Sequence, residues 1–176
     1  PTYIIPGNHD GNLRNSSRQD AITPIVEALE HPSLCLLKAS GEVSVDDKFT
    51  LNVLSIFDED KWIEPTDANK INIALYHGSI SGVKTDLGWT MEYGDHNISI
   101  FDKFDFGFLG DIHKTNQILD LKGRIRYPGS TIQQNQGETN DKGLLIWDIQ
   151  DKDKFTCKHV SFINPKPFIT IQLSPK

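Results

Sequence analysis

Three short apolar runs in this chain each break off into a polar cluster carrying a histidine, and that recurrence limits the folds open to it. Tyr3-Ile4-Ile5 leads into Gly7-Asn8-His9-Asp10, Ile71-Asn72-Ile73-Ala74-Leu75-Tyr76 leads into His77-Gly78, and the run 104–109 leads into Gly110-Asp111-Ile112-His113. Apolar runs of this length, bounded by Gly and polar residues, read as buried strands. Strands that end in imidazole, amide and carboxylate groups predict a sheet whose exits share one site. Taken alone, Gly7-Asn8-His9-Asp10 is also an ordinary turn, because Gly, Asn and Asp are the usual turn formers. Its company further along the chain sets it apart.

The remaining segments fit around those strands. Residues 11–20 are polar and read as a loop. A helix follows, with Thr23 as N-cap, Pro24 at the first position and Ile25, Val26, Ala28 and Leu29 as its apolar face, stopping at His31-Pro32. His31 reads as a helix-end cation or a solvated side chain. Residues 43–45 and 49–56 alternate about Asp46-Asp47-Lys48 and predict a hairpin, as do 117–121 and 124–127 about Lys122-Gly123. Trp62, on the loop 58–70, reads as cover for a core edge. The segment 82–95, with Trp89 and Tyr93, reads as a loop over a site or as surface packing, with His96 exposed beside it. Residues 143–149, 155–162 and 168–173 predict three more strands, with His159 structural. Asp111 and His113 are two apart, so extended backbone would turn both side chains to one face.

Composition bounds what such a site serves. At 176 residues and 37% hydrophobic, the chain supports one core, expected over 1–163, with 164–176 the start of an appended element. There is no spanning apolar run and no signal peptide, so a soluble, cytoplasmic protein with no membrane contact is expected. Cys35 and Cys157 have no partnering motif and predict neither a disulfide nor a zinc site. A net charge of −6 opposes simple phosphate binding by excess Lys and Arg, a deficit that bound divalent metals would offset locally.

The ligand types at the strand exits are Asn8 with His9, His77, and Asp111 with His113. Imidazole, amide and carboxylate suit Mn, Fe or Zn, and no thiolate is present to make a structural zinc site. Such groups converging at strand ends have the pattern of a two-metal hydrolase.

In this order, Gly-Asn-His-Asp, then a strand into His-Gly, then Gly-x-x-His, the chain resembles the calcineurin-like metallophosphoesterases. Gly110-Asp111-Ile112-His113-Lys114, followed by Arg126-Tyr127-Pro128-Gly129-Ser130-Thr131 and Gln133-Gln134-Asn135, resembles the SbcD type of DNA repair exonuclease within them. The likeness implies an α/β fold, the metallophosphoesterase β-sandwich flanked by helices. It implies two divalent ions, Mn first among them, with Asn8 and His77 on the second metal and His113 on the first. His9 would be the catalytic acid, and Tyr127, Gly129 and Ser130 would lie near the bound DNA.

The same likeness implies DNA as substrate, an SMC-like ATPase subunit of the SbcC type as partner, and a homodimer. Asp111 stands where the family has the first His of Gly-His-x-His, as a ligand or as a group orienting one. The family's opening Asp-x-His and Gly-Asp-x-x-Asp blocks have no counterpart, so the chain reads as a fragment lacking its first strands and holding half a site. The alternatives are a phosphatase or cyclic-nucleotide phosphodiesterase of the same fold, and a non-catalytic binding or assembly module.

Overall fold

The computed structural model describes residues 1–15 and 18–173; positions 16 and 17 of the predicted 11–20 loop and 174–176 of the predicted closing element lie outside them. Its centre is a six-stranded sheet in the order β3 (Gly41–Ser44), β4 (Phe49–Leu54), β5 (Ile71–His77), β6 (Phe106–Gly110), β8 (Ile125–Tyr127) and β7 (Gln117–Ile118). The inner pairs β4–β5, β5–β6 and β6–β8 are parallel, and the outer hairpins β3–β4 and β7–β8 are antiparallel. Both hairpins fall where the alternation and polar turns predict them. Gly123 takes the positive φ (72°) that the second turn requires.

Burial of both sheet faces explains why the central strands read as almost unbroken apolar runs. On one face Leu51, Ile71, Ile73 and Phe106 form a cluster; on the other Leu54, Ala74, Tyr76, Leu109 and Tyr127 form a second. Two small sheets supply further cover: β1 (Thr2–Ile4) with β2 (Leu34–Leu36), parallel, and β9 (Gly143–Ile149) with β10 (Phe155–Ser161), antiparallel. Tyr3, Trp147 and Phe155 from these sheets pack on the Phe106 side. The Phe106 ring meets Trp147 and Phe155 edge-on at 5.8 and 5.0 Å.

Several expectations are corrected. The helix α1 spans Thr23–Leu29, but its N-cap is Ile22 and makes no side-chain cap bond. Asp20 does that work from upstream: its carboxylate accepts from the amides of Ile22 and Thr23 and from the Thr23 hydroxyl, and it pairs with Lys38 at 2.6 Å. The helix buries no residue: Ile25 and Leu29 are both 60% exposed, and of the predicted apolar face only Val26 is half-buried. Helical geometry ends one residue early, at Glu30 in the left-handed region (φ 44°). His31 stays exposed, as the solvated reading expects, and its Nδ1 accepts from the Ser33 amide.

No strand forms over 168–173, because nothing among the described residues pairs with it. His96 is not exposed. Its ring packs 4.9 Å from Trp62 and 5.8 Å from Tyr76, and its Nε2 lies 3.4 Å from Glu59. Trp62 does cover a core edge, donating its indole N–H to the Ser55 carbonyl. No helix among the described residues is long and apolar enough to cross a membrane.

Candidate functional site

Parallel pairing brings the second and third strand exits together. In the β5–β6 register His77 stands opposite Gly110, so Asp111 begins where His77 ends. The first exit arrives from β1. Its turn closes through the Asp10 amide donating to the Gly7 carbonyl and the Gly7 amide donating to the Asp10 carboxylate. Two glycines make the slot in which the His77 ring sits. A Cβ on Gly7 would lie 2.6 Å from His77 Cε1, and one on Gly110 would lie 2.8 Å from His77 Nδ1. Each glycine is required by close approach, with no left-handed backbone involved.

Asn8, His9, His77, Asp111, His113, Gly129 and Ser130 all line one cleft of 560 Å³. Within it Asp111 Oδ1 accepts from Asn8 Nδ2 at 3.3 Å and lies 3.6 Å from His77 Nε2. The neighbouring His77 holds the Asp111 carboxyl below its ordinary range, outweighing the upward pull of burial, with help from His113 and Asn8. The backbone here is not extended: β6 stops at Gly110, and Asp111 takes φ 95°, an uncommon angle for a residue with a Cβ. Asp111 and His113 therefore reach the same cleft by a kink in the chain, and strand alternation plays no part.

Two side chains, Glu138 and Lys142, were not legible beforehand. Glu138, with a side chain 5% exposed, accepts from His113 Nδ1 at 2.9 Å, from Asn135 Nδ2 and from the Gln134 amide. Burial pushes the Glu138 carboxyl up, but the Gln134 amide, His113 and Lys142 together bring it below the ordinary range. An ionised carboxylate only accepts, so Nδ1 of His113 carries the hydrogen and the neutral ring keeps its lone pair on Nε2. Lys142, 2% exposed, lies behind this pair. Its Nζ reaches Asp86 Oδ2 at 2.9 Å, Glu138 Oε2 at 3.4 Å and the His113 carbonyl at 2.7 Å. The Ser130 hydroxyl, expected near the substrate, is buried with no hydrogen-bond partner among the described residues although its residue lines the cleft. Glu138 and Lys142 sit in a polar loop without periodicity, so only their i, i+4 spacing hinted at a pair.

Gly129 lies close under His113: at φ 90°, a Cβ there would meet the His113 carbonyl and Thr115 Cα, both at 2.8 Å. Tyr127 does not reach the cleft. It is fully buried, and its hydroxyl donates to the Gly78 carbonyl at 2.5 Å, next to His77. Burial, with Tyr76 nearby, pushes its phenol well above the ordinary range.

Over 98% of its length this chain is 26% identical to the SbcD component of the SbcCD nuclease of Staphylococcus epidermidis, of which it covers 51%. It is also 37% identical over 164 residues to an uncharacterized protein of Acanthamoeba polyphaga mimivirus, an alignment covering 86% of this chain and 12% of that protein. No family model matches the chain.

Asn8, Asp111 and His77 are spaced as donors to one ion would be. Metal bonds of about 2.0–2.2 Å set neighbouring donors roughly 3.0–3.5 Å apart, close to the 3.3 and 3.6 Å separations among Asn8, Asp111 and His77. The amide of Asn8 would offer its oxygen by a simple flip. Among the described residues no three His, Cys, Asp or Glu side chains gather closely enough to hold a metal, so a third donor in this set would have to be Asn8.

Proposed function

We propose that this chain belongs to a metal-dependent DNA nuclease, built on the metallophosphoesterase sandwich, that hydrolyses phosphodiester bonds at DNA ends. The observation that carries this is the convergence of Asn8, His9, His77, Asp111 and His113 on one cleft at the exits of β1, β5 and β6. The likeness to a nuclease component along almost the whole chain supports it. Two divalent ions, Mn by preference, are the cofactors of this reading, with Asn8, His77 and Asp111 holding one and His113 contributing to the other. Bound there, the ions would supply an activated water and neutralise the phosphoryl oxygens.

The chain's own side chains do the rest. His9, exposed in the lip of the cleft, hands a proton to the departing sugar oxygen. The unpaired Ser130 hydroxyl donates to a non-bridging phosphate oxygen, and the tight approach of Gly129 to His113 sets its position. Glu138 holds the His113 ring in its tautomer. By the same likeness, an SMC-like ATPase subunit of the SbcC type and a second copy of the chain are the proposed partners.

End-labelled DNA incubated with Mn, and then with chelator, tests this. Cleavage should require Mn, and His9→Ala should lower its rate by about 100-fold or more while leaving the Mn bound per chain unchanged. Cleavage surviving in both His9→Ala and His77→Ala would sink the proposal.

A second reading, a metal-free binding module, draws on Asp111: Asn8 donates to it and His77 faces it, so these polar groups satisfy one another without an ion. A chain that binds DNA equally with and without Mn, and never cleaves it, would favour that reading.

A further inference from the structure

Beside the metal cleft lies a second cavity, of 340 Å³, that shares Asp111, Ile112 and His113 with it as a common wall. Its far wall comes from the segment 82–95, which contributes Leu87 and Met91, and its floor from the loop bearing Asn135 and Glu138. Leu87 is 81% exposed although it lines this hollow, so most of its apolar surface is left uncovered by the described residues. Trp89 and Tyr93 on the same segment are 63% and 89% exposed.

The segment is held in place. Asp86 accepts from the buried Lys142 and from Thr139, and Gln117 bonds both the amide and the carbonyl of Lys84. Val83 is anchored in the core at 1% exposure. The cavity is therefore preformed, as ligand sites commonly are.

Its charges say what it takes. Among the described residues no Lys or Arg lines it, and the carboxylates that do, Asp86, Asp111 and Glu138, repel a phosphate. The one buried cation close by, Lys142, is already matched to Asp86 and Glu138. A flat, uncharged, largely apolar ring with N–H groups on its edge suits such walls. The Glu138 oxygens are taken by His113, Asn135, the Gln134 amide and Lys142, whereas Asp86 and Asp111 keep lone pairs for those donors, and Leu87, Met91 and Ile112 line the cavity to cover the ring faces.

From this we infer that the cavity is a nucleobase subsite, taking the base of the nucleotide whose phosphate lies in the neighbouring cleft. The inference rests on the nuclease reading and adds a substrate class to it. A base seated here has left its stack, so the substrate is a single strand or a frayed end.

The test is binding with Ca in place of Mn, so that no turnover intrudes. A labelled single-stranded oligonucleotide is compared with one of equal length and charge carrying abasic sugars throughout, using fluorescence anisotropy. The wild type should bind the base-bearing strand about ten-fold tighter or more, the scale of one base contact. Leu87→Ser, at a position exposed enough to leave the fold intact, should shrink that preference several-fold. Equal affinity of the wild type for both strands, or an undiminished preference in Leu87→Ser, overturns the subsite and leaves the nuclease reading standing. Failure of the wild type to bind either strand overturns both.

Discussion

His113 Nδ1 and Glu138 Oε1 lie 2.9 Å apart across a separation of 25 residues, and that bond decides which nitrogen of His113 is free to act. Glu138→Gln keeps the size of the side chain but lets the ring choose its tautomer. Mn affinity, measured by calorimetric titration, should fall about 10- to 100-fold, the usual effect of losing a partner behind a ligating His. Circular dichroism should be unchanged. An undiminished Mn affinity would show that Glu138 serves Lys142 alone.

Gly7 is the second point of leverage. A methyl at this position would meet the His77 ring at 2.6 Å, so the ring or the first turn must move. Gly7→Ala should cost about 1–3 kcal/mol, the scale of overpacking, and should weaken Mn binding as well. Urea denaturation and Mn titration read the two effects separately. Gly11→Ala is the control, because a methyl there meets Phe57, at 2.6 Å, and not His77.

Tyr127 separates positioning from DNA contact. Its hydroxyl is the donor to the Gly78 carbonyl, and Tyr127→Phe leaves that carbonyl unpaired in a buried setting. The expected loss is about 1–2 kcal/mol of stability, with DNA affinity unaltered at a temperature where the variant is folded. A variant of full stability and weakened DNA binding would place Tyr127 in contact with substrate after all.

Asp20 predicts the acid limb of stability. Pairing with Lys38 is the main cause of its lowered pKa, with the Thr23 hydroxyl and amide next. Its folded pKa lies below its unfolded value, so the stabilisation is present above the unfolded carboxylate range, near pH 4, and is lost as pH falls through the folded value. Asp20→Asn should be less stable at pH 7 by about 1–3 kcal/mol, the cost of removing a charged acceptor. Its disadvantage should narrow below pH 4, as followed by denaturation midpoints.

How much of this was legible in the chain depends on the range of the interaction involved. The strands β5 and β6 rest on apolar runs bounded by polar residues and the hairpins β3–β4 and β7–β8 on local alternation and turn residues, and these, like the strands β9 and β10, stand where those local patterns put them. His77 at the end of β5 and the Gly7-Asn8-His9-Asp10 turn were legible for the same reason. By contrast the closing run 168–173 has an apolar pattern but no partner strand among the described residues, and α1 has an apolar face on which Ile25 and Leu29 stay exposed. Pattern states what a segment is able to bury; only the assembled sheet says whether a surface is there to receive it.

The site divides in the same way. The polar side chains of the cleft and their places at strand exits were determined by the sequence itself, since a buried strand leading into polar residues must end at an edge of the core. Which groups meet was decided by the tertiary structure. The parallel register set His77 against Gly110, the kink at Asp111 turned its carboxylate toward Asn8 and His77, and chain closure brought Glu138 and Lys142 behind His113. Contacts across 25 to 103 residues carry no periodic trace, because they depend on where whole elements pack and not on the spacing of neighbours along the chain.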